Sequence, residues 1–147
     1  IGDQYSGNFT DGVLNGSGIW DGYNGDKYYG NFQNGKFHGE GTYISSTGSK
    51  YIGEFNEGIK EGFGTFNVNG TSYGEKYVGE FNNNIFNGYG TYSFSNGSMY
   101  SGEFKDGLFH GLGIYILSGD TLSGNFQFGE FIMSCPVPTS PCVSGSN

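Results

Sequence analysis

Five ionisable residues recur at fixed places in this chain of 147 residues, and they are the first candidates for chemistry. His38 and His110 each stand directly before a glycine in two similar phrases, which suggests a pair of metal ligands. The carboxylates Glu54, Glu80 and Glu103 share another repeated place, where a row of acids would attract a cation or a basic partner. Either use requires the fold to bring these residues together.

The candidates belong to a phrase that occurs six times. Its copies start at Tyr5, Tyr28, Tyr51, Tyr77, Tyr100 and Leu122. A full copy reads Tyr-x-Gly-x-Phe-x-x-Gly-x-x-x-Gly-x-Gly-x-aromatic, and most of the 30 glycines occupy these framework places. Asn84 takes the place of one framework glycine, and asparagine is the next-best residue where a turn needs a positive φ.

Each copy predicts two β-strands. Tyr-x-Gly-x-Phe and Gly-x-Gly-x-aromatic alternate with a period of two residues, which is typical of strands. Asn-Gly and Ser-Gly turn signals separate the copies. A helix would carry many interior glycines, each costing about 1 kcal/mol. We therefore predict an all-β protein, an elongated and open antiparallel β-meander of repeated hairpins in a single twisted layer.

Glycine and aromatic residues are expected to share one face of this sheet. In the third copy, Tyr51 and Phe55 lie on one face of the first strand, and Gly62, Gly64 and Phe66 should share it from the second. Rings can then lie across bare glycine backbone. No second layer covers them, and a large exposed apolar strip usually marks an interaction site. We expect a partner segment to dock along this groove of twelve rings: Tyr28, Phe32, Tyr43, Tyr51, Phe55, Phe66, Tyr77, Phe81, Tyr92, Tyr100, Phe104 and Tyr115.

Three further rings stand at the tenth place of a copy, near the hairpin tips. They are Phe37, Phe86 and Phe109. The sequence leaves two roles open for them: they cap the turn, or they extend the contact surface.

The repeat argues against chemistry at the ionisable residues. Three copies of two strands each would hold His38 and His110 roughly 30 Å apart, and one ion cannot bridge that distance. The acids favour a solvated face that keeps the sheet soluble. A catalytic carboxylate pair needs one acid in an apolar pocket, and an open sheet offers none. We therefore expect no catalytic residue, no metal site and no cofactor.

The charge balance narrows the partners. The chain has 14 acidic and six basic residues, a formal charge of −8, and all six basic residues are lysines. Nucleic-acid recognition favours arginine and a basic stripe, so no nucleic-acid partner is expected. An anionic membrane surface is disfavoured for the same reason.

The repeated phrase resembles the MORN repeat, whose name stands for membrane occupation and recognition nexus. The resemblance rests on Tyr28-Tyr29-Gly30-Asn31-Phe32, Gly35, Gly39-Glu40-Gly41-Thr42-Tyr43 and their copies, and it covers about residues 5–130. It implies a twisted meander of hairpins, often with a groove along one face. Similar proteins act as scaffolds or adaptors in cilia, parasite cytoskeletons and membrane junctions, or are fused to kinase and methyltransferase domains. Several dimerise or hold a helix of a partner.

Residues and resemblance together predict a non-enzymatic interaction scaffold or adaptor. It would bind a helical or extended segment of a protein partner, in the cytoplasm, within a cytoskeletal, ciliary or membrane-associated assembly. Its unpaired end strands would allow a homodimer. Two alternatives stay open: a regulatory module of a larger, kinase- or methyltransferase-linked enzyme, and a peripheral phospholipid-binding module.

The predicted boundary between array and tail lies near residue 133. Residues 1–133 form the repeat array, and residues 134–147 form a Pro/Ser-rich tail or cap. The tail holds both cysteines, Cys135 and Cys142. Free thiols, a disulfide, lipidation and metal binding all remain open for them. The chain begins at Ile1 without methionine, so a removed segment or a longer parent protein also remains open.

Overall fold

A computed structural model describes residues 2–70 and 74–134, and it places twelve strands in one sheet. The strands are β1 (Gln4–Thr10), β2 (Val13–Asp21), β3 (Lys27–Gln33), β4 (Lys36–Ile44), β5 (Lys50–Asn56), β6 (Ile59–Asn67), β7 (Lys76–Asn82), β8 (Ile85–Ser93), β9 (Met99–Lys105), β10 (Leu108–Leu117), β11 (Asp120–Gln127) and β12 (Glu130–Ser134). Each pairs antiparallel with its neighbours in sequence, without a crossover. The predicted open all-β meander is confirmed.

Tight turns join the two strands of each copy. At Asp106-Gly107 the two φ angles are 51° and 81°, so both central residues have the positive φ that type I′ hairpin turns require. Asn83 and Asn84 have φ angles of 50° and 69° at the equivalent turn. The positive φ predicted for Asn84 is therefore confirmed. The longer connection between β6 and β7 begins with one 3-10 turn, Val68–Gly70.

The first tyrosine of each copy lies over glycine, as the sequence predicts. Gly53 and Gly64 are partners across the β5–β6 ladder. The ring of Tyr51 covers them, so that a Cβ atom at Gly64 would lie 2.6 Å from the ring's Cε2 atom and hydroxyl oxygen. The hydroxyl donates a hydrogen bond to the carbonyl of Glu54 at 2.9 Å. Any larger residue at Gly64 would displace the ring.

A row of buried side chains forms the core inside this single layer. Its members are Leu14, Tyr28, Phe32, Tyr51, Phe55, Tyr77, Phe81, Tyr100, Phe104 and Phe126. Each tyrosine meets a phenylalanine of its own copy and one of the next copy edge-on. Ring centroids lie 5.2 Å apart for Tyr77 and Phe81 and 5.0 Å apart for Tyr77 and Phe104. Such edge-to-face pairs contribute more stability than the buried area alone provides. The pairs between copies therefore stabilise the packing of each copy against the next.

A β-bulge interrupts the hairpin of the third copy, and the period-two pattern did not predict it. Gly53 pairs with Gly64 but Phe55 pairs with Lys60, so that residues 61–63 oppose Glu54 alone. Gly62 has a φ of 80° within the bulge, which favours glycine there. Equivalent register shifts recur in the other full copies.

Hairpin tips also connect consecutive copies. The backbone N–H of Gly58 donates to the carbonyl of Phe37 at 2.8 Å, and that of Gly107 donates to the carbonyl of Phe86 at 2.9 Å. The accepting residue is the one at the tenth place of the preceding copy. This hydrogen bond holds the residue at the tenth place of each copy beside the hairpin of the next copy.

Candidate interaction surface

The repeated acids lie on the sheet face opposite the buried rings, as predicted. Their carboxylates accept hydrogen bonds from backbone N–H groups of the β-bulge. The Glu54 carboxylate accepts the backbone N–H of Phe63 at 3.0 Å, and the Glu80 carboxylate accepts that of Tyr89 at 2.9 Å. Each acid therefore replaces a ladder bond that the bulge has lost. This structural use accounts for their recurrence.

The two histidines are not brought together. His38 lies in β4 and His110 lies in β10, with five strands between them. Within residues 2–70 and 74–134 there is no group of three His, Cys, Asp or Glu residues that could hold a metal ion. Cys135 and Cys142 lie outside the described residues.

The twelve rings predicted to line the groove fall into two sets. Eight belong to the buried core: Tyr28, Phe32, Tyr51, Phe55, Tyr77, Phe81, Tyr100 and Phe104. Four are half-buried: Tyr43, Phe66, Tyr92 and Tyr115. A partner would reach only the half-buried set. The eight core rings are covered by neighbouring copies, although the sequence analysis left this face without a cover. Binding by the twelve remains a prediction.

A second row of rings lies on the core row. Nine half-buried aromatic residues pack against the core, and Phe94 contacts three of them. These ten rings, here called the outer row, are Trp20, Phe37, Tyr43, Phe66, Phe86, Tyr92, Phe94, Phe109, Tyr115 and Phe131. The outer row is the apolar surface that the array presents on this face.

The tenth-place rings supply much of that surface. Phe37 stacks on Tyr28 with centroids 3.8 Å apart and planes 12° apart. Phe86 and Phe109 stack on the tyrosines of their own copies at 3.9 Å. The three rings thus lie on the core tyrosines, and their role in binding a partner remains a prediction. Trp20, Phe94 and Phe131 are outer-row rings that the sequence did not predict, and their aromatic character was the signal that could have identified them.

The comparison with family models agrees with this geometry. The model of the MORN repeat matches residues 5–27, 28–50, 51–72, 77–99 and 100–120. The chain belongs to the MORN-repeat family. MORN repeats are generally protein- or membrane-interaction modules. A comparison with curated proteins finds no match to this chain.

The MORN array continues past the matched copies. A sixth copy begins at Leu122, and strands β11 and β12 add it to the sheet up to Ser134. The division at residue 133 between array and tail remains a prediction, since residues 135–147 lie outside the described part. No helix among the described residues has the length and apolar character needed to cross a membrane.

Carboxylates stand along one rim of the MORN outer row. Asp26 accepts the hydroxyl of Tyr43 and, at 2.7 Å, the backbone N–H of Ser46. Glu75 accepts the hydroxyl of Tyr92. The Tyr43 hydroxyl is the main cause of a lowered pKa at Asp26, whereas burial raises the pKa of Tyr43 and of Tyr92 to about 12. The rim is therefore anionic at neutral pH and the tyrosines are neutral.

Three hollows follow the outer row. Their volumes are about 280, 310 and 290 Å³ from the first copies to the last. Trp20 lines the first hollow, Lys60 lines the middle one and Phe94 lines the last. Side chains of a docked segment would fit such hollows, because apolar pockets with few polar groups are the usual form of a binding site.

The opposite face carries a larger depression of about 500 Å³. Glycines, small polar residues and aliphatic side chains line it, and its exposed rings are Phe63 and Tyr89. The same motif place holds Ser17 and Glu40 in the first two copies. Aromatic rings stand at this motif place in the third and fourth copies alone, so this place forms no continuous row of rings.

Proposed function

We propose that this MORN array is a non-enzymatic interaction scaffold whose outer row binds an apolar segment of a protein partner, helical or extended. The observation that carries the proposal is the outer row itself. Ten half-buried rings extend through all six copies on a rigid sheet, with hollows between them. Helix-in-groove and extended-peptide recognition both use a preformed apolar surface of this kind.

The negative charge of the array favours a protein segment over an anionic lipid headgroup as the partner. The chain carries a formal charge of −8, and the carboxylates of Asp26 and Glu75 stand along the rim. Anionic lipid binding relies on clusters of basic residues. Sedimentation with vesicles containing phosphatidylserine, at physiological salt, is expected to leave the array in the supernatant.

The cellular setting follows from the family resemblance alone. We propose a cytoplasmic adaptor within a cytoskeletal, ciliary or membrane-associated assembly. A homodimer through the array ends is part of the proposal, and the exposure of every residue of β1 supports it. An edge strand with unpaired backbone groups is a template for pairing with another chain.

The test selects binders from a displayed library of random peptides and measures their affinity by calorimetry. The groove variant combines Trp20→Ser with Phe94→Ser. The matched control combines Phe63→Ser with Tyr89→Ser, which removes two rings from the other face. Circular dichroism checks that both variants keep the sheet. Variants of Tyr51 or Tyr77 are unsuitable, because those rings belong to the core.

The groove variant is expected to lose affinity about tenfold or more, as loss of aromatic anchors usually does. The control is expected to bind as the unchanged protein does. Equal binding by all three proteins, or no binder from the library, would contradict the proposed function.

A further inference from the structure

One residue departs from the outer row in the middle of the array. Lys60 occupies the tenth place of the third copy, where Phe37, Phe86 and Phe109 stand in other copies. It is the only one of the six lysines at this place. In those copies the ring at the tenth place stacks on the first tyrosine of the same copy. Tyr51, the first tyrosine of the third copy, therefore has no ring from its own hairpin stacked on it.

The ammonium group of Lys60 lies beside the neighbouring aromatic rings at this place. Its Nζ atom lies 5.2 Å from the ring centroid of Tyr51, 5.8 Å from that of Tyr43 and 5.4 Å from that of Phe66. Contacts with three aromatic rings attract an ammonium group. Tyr43 ends the ring cluster that begins at Trp20, and Phe66 begins the next one. Lys60 is thus the polar link between two apolar halves of the outer row.

Within residues 2–70 and 74–134, no acidic side chain pairs with the charge of Lys60. The ion pairs among the described residues are Lys27 with Asp21 and Lys36 with Glu57. Lys60 is half-buried, and this burial lowers its pKa. An ammonium group that has lost water without gaining an anion is a site where an anion gains more than at the exposed surface.

A second departure from the repeat contacts the first. Asn84, which replaces a framework glycine, donates its backbone N–H to the carbonyl of Lys60 at 3.0 Å. Its side-chain Oδ1 accepts the backbone N–H of Lys60 at 2.9 Å. Because Oδ1 is engaged, Nδ2 is the donor left to Asn84, and no bond engages it within the described residues. Glycine at the equivalent turns supplies neither side-chain group.

Both residues line the middle hollow of about 310 Å³, and its other walls are Phe37, Tyr43, Phe55 and Gly58. A lysine and an asparagine therefore line the same hollow, and most of its other walls are aromatic.

We propose that Lys60 and Asn84 bind a carboxylate, the Asp or Glu side chain of an otherwise apolar partner segment. The inference rests on the proposed function and adds the partner's chemistry at one place. One ammonium and one amide match a single negative charge. A phosphate dianion fits less well, since the site has no arginine and the protein around it is acidic.

The expected benefit is selectivity. A partner segment with Asp or Glu at this place accepts hydrogen bonds from the Lys60 ammonium group, in place of the bonds to water that the group lost on burial. A partner with an apolar residue there leaves the ammonium buried and unpaired, which costs affinity. The site would also fix the register of the segment along the outer row.

The test uses the peptides selected on the unchanged array. They are expected to carry Asp or Glu at one position, flanked by apolar residues. For one such peptide, exchange of that acid for its amide, or Lys60→Met in the protein, should each weaken binding about 10- to 100-fold. Making both changes should weaken it little further, because they remove the same interaction. Lys60→Phe is the second variant: it restores the repeated ring, is expected to keep the fold, and should weaken binding of the acidic peptide as Lys60→Met does.

The outcomes separate the two proposals. In one contrary outcome the selected peptides depend on Trp20 and Phe94 but carry no fixed acid, and in another they bind Lys60→Met equally well. Either result would overturn the carboxylate site and leave the proposed function standing. Tighter binding of the same peptide with phosphoserine in place of the acid would identify a phosphate site and overturn the carboxylate assignment. Failure of all peptides to depend on the outer row would overturn both proposals.

Discussion

The ring of Tyr77 lies directly over Gly90. A Cβ atom at Gly90 would lie 2.5 Å from both the Cε2 atom and the hydroxyl oxygen of the tyrosine. The same hydroxyl donates to the carbonyl of Glu80 at 2.8 Å, which holds the ring in this position. This relationship makes the glycines part of the core packing.

Gly90→Ala is therefore expected to destabilise the array by about 2–3 kcal/mol, the usual cost of overfilling a packed core. Denaturant unfolding followed by circular dichroism measures the change. The matched variant is Gly18→Ala in the first copy, where the nearest atoms would be Ser6 O at 3.0 Å and the Phe32 ring at 3.1 Å. This variant should cost clearly less. Equal costs would show that Tyr77 does not constrain Gly90.

The carboxylate at the bulge gives a second prediction. Glu80→Ala removes the acceptor for the Tyr89 N–H and should cost about 1 kcal/mol, while Glu80→Gln keeps an acceptor and should cost less. Thermal unfolding compares them with Glu40→Ala, whose exposed side chain makes no bond in the described part of the chain. A neutral effect of Glu80→Ala would leave the recurrence of this acid without a structural reason.

Lys60→Phe is expected to stabilise the protein. The new ring can stack on Tyr51 as Phe86 stacks on Tyr77, and aromatic pairs of this kind contribute about 0.5–1.5 kcal/mol beyond the buried area. The midpoint of denaturant unfolding should rise. If the midpoint falls instead, the place of Lys60 is not equivalent to that of the phenylalanines.

Alkaline pH should unfold the array cooperatively. Burial raises the pKa of Tyr28 and Tyr100 to about 12, and it raises the pKa of Tyr51 and Tyr77 further. Unfolded tyrosine titrates near pH 10. Above that pH the unfolded state loses protons first, so stability is full below about pH 10 and decreases as the pH rises through about 12.

The part of the tyrosinate absorbance that comes from these four rings should change together with the sheet signal in circular dichroism. Ionisation of all twelve tyrosines near pH 10 with an unchanged sheet would contradict the burial of the four rings.

The local structure could be predicted because each copy repeats the same local signals. Alternation between aromatic residues and glycine predicted the strands, and the turn residues predicted the hairpins. The positive φ of Asn84 followed from the glycine that it replaces. Rings lying over glycine, such as Tyr51 over Gly64, followed from the side-chain sizes on one face.

The rest depends on how copies stack, which a single copy does not contain. Burial of Tyr28 requires Phe37 from its own hairpin and Phe55 from the next copy. The bulge shifts the second strand, so a Cβ atom at Gly62 would face the Glu54 carboxylate on the other side of the sheet, where the period-two pattern did not place it. Lys60 and Asn84 are 24 residues apart, and only the register between copies brings them into contact.

The most direct test of the central claim is solution NMR of the isotope-labelled array bound to a selected peptide. Intermolecular nuclear Overhauser effects identify the rings that touch the peptide. We predict contacts with Trp20, Phe86 and Phe109 of the outer row and none with Phe63 or Tyr89. Contacts with Phe63 and Tyr89 alone would contradict the account.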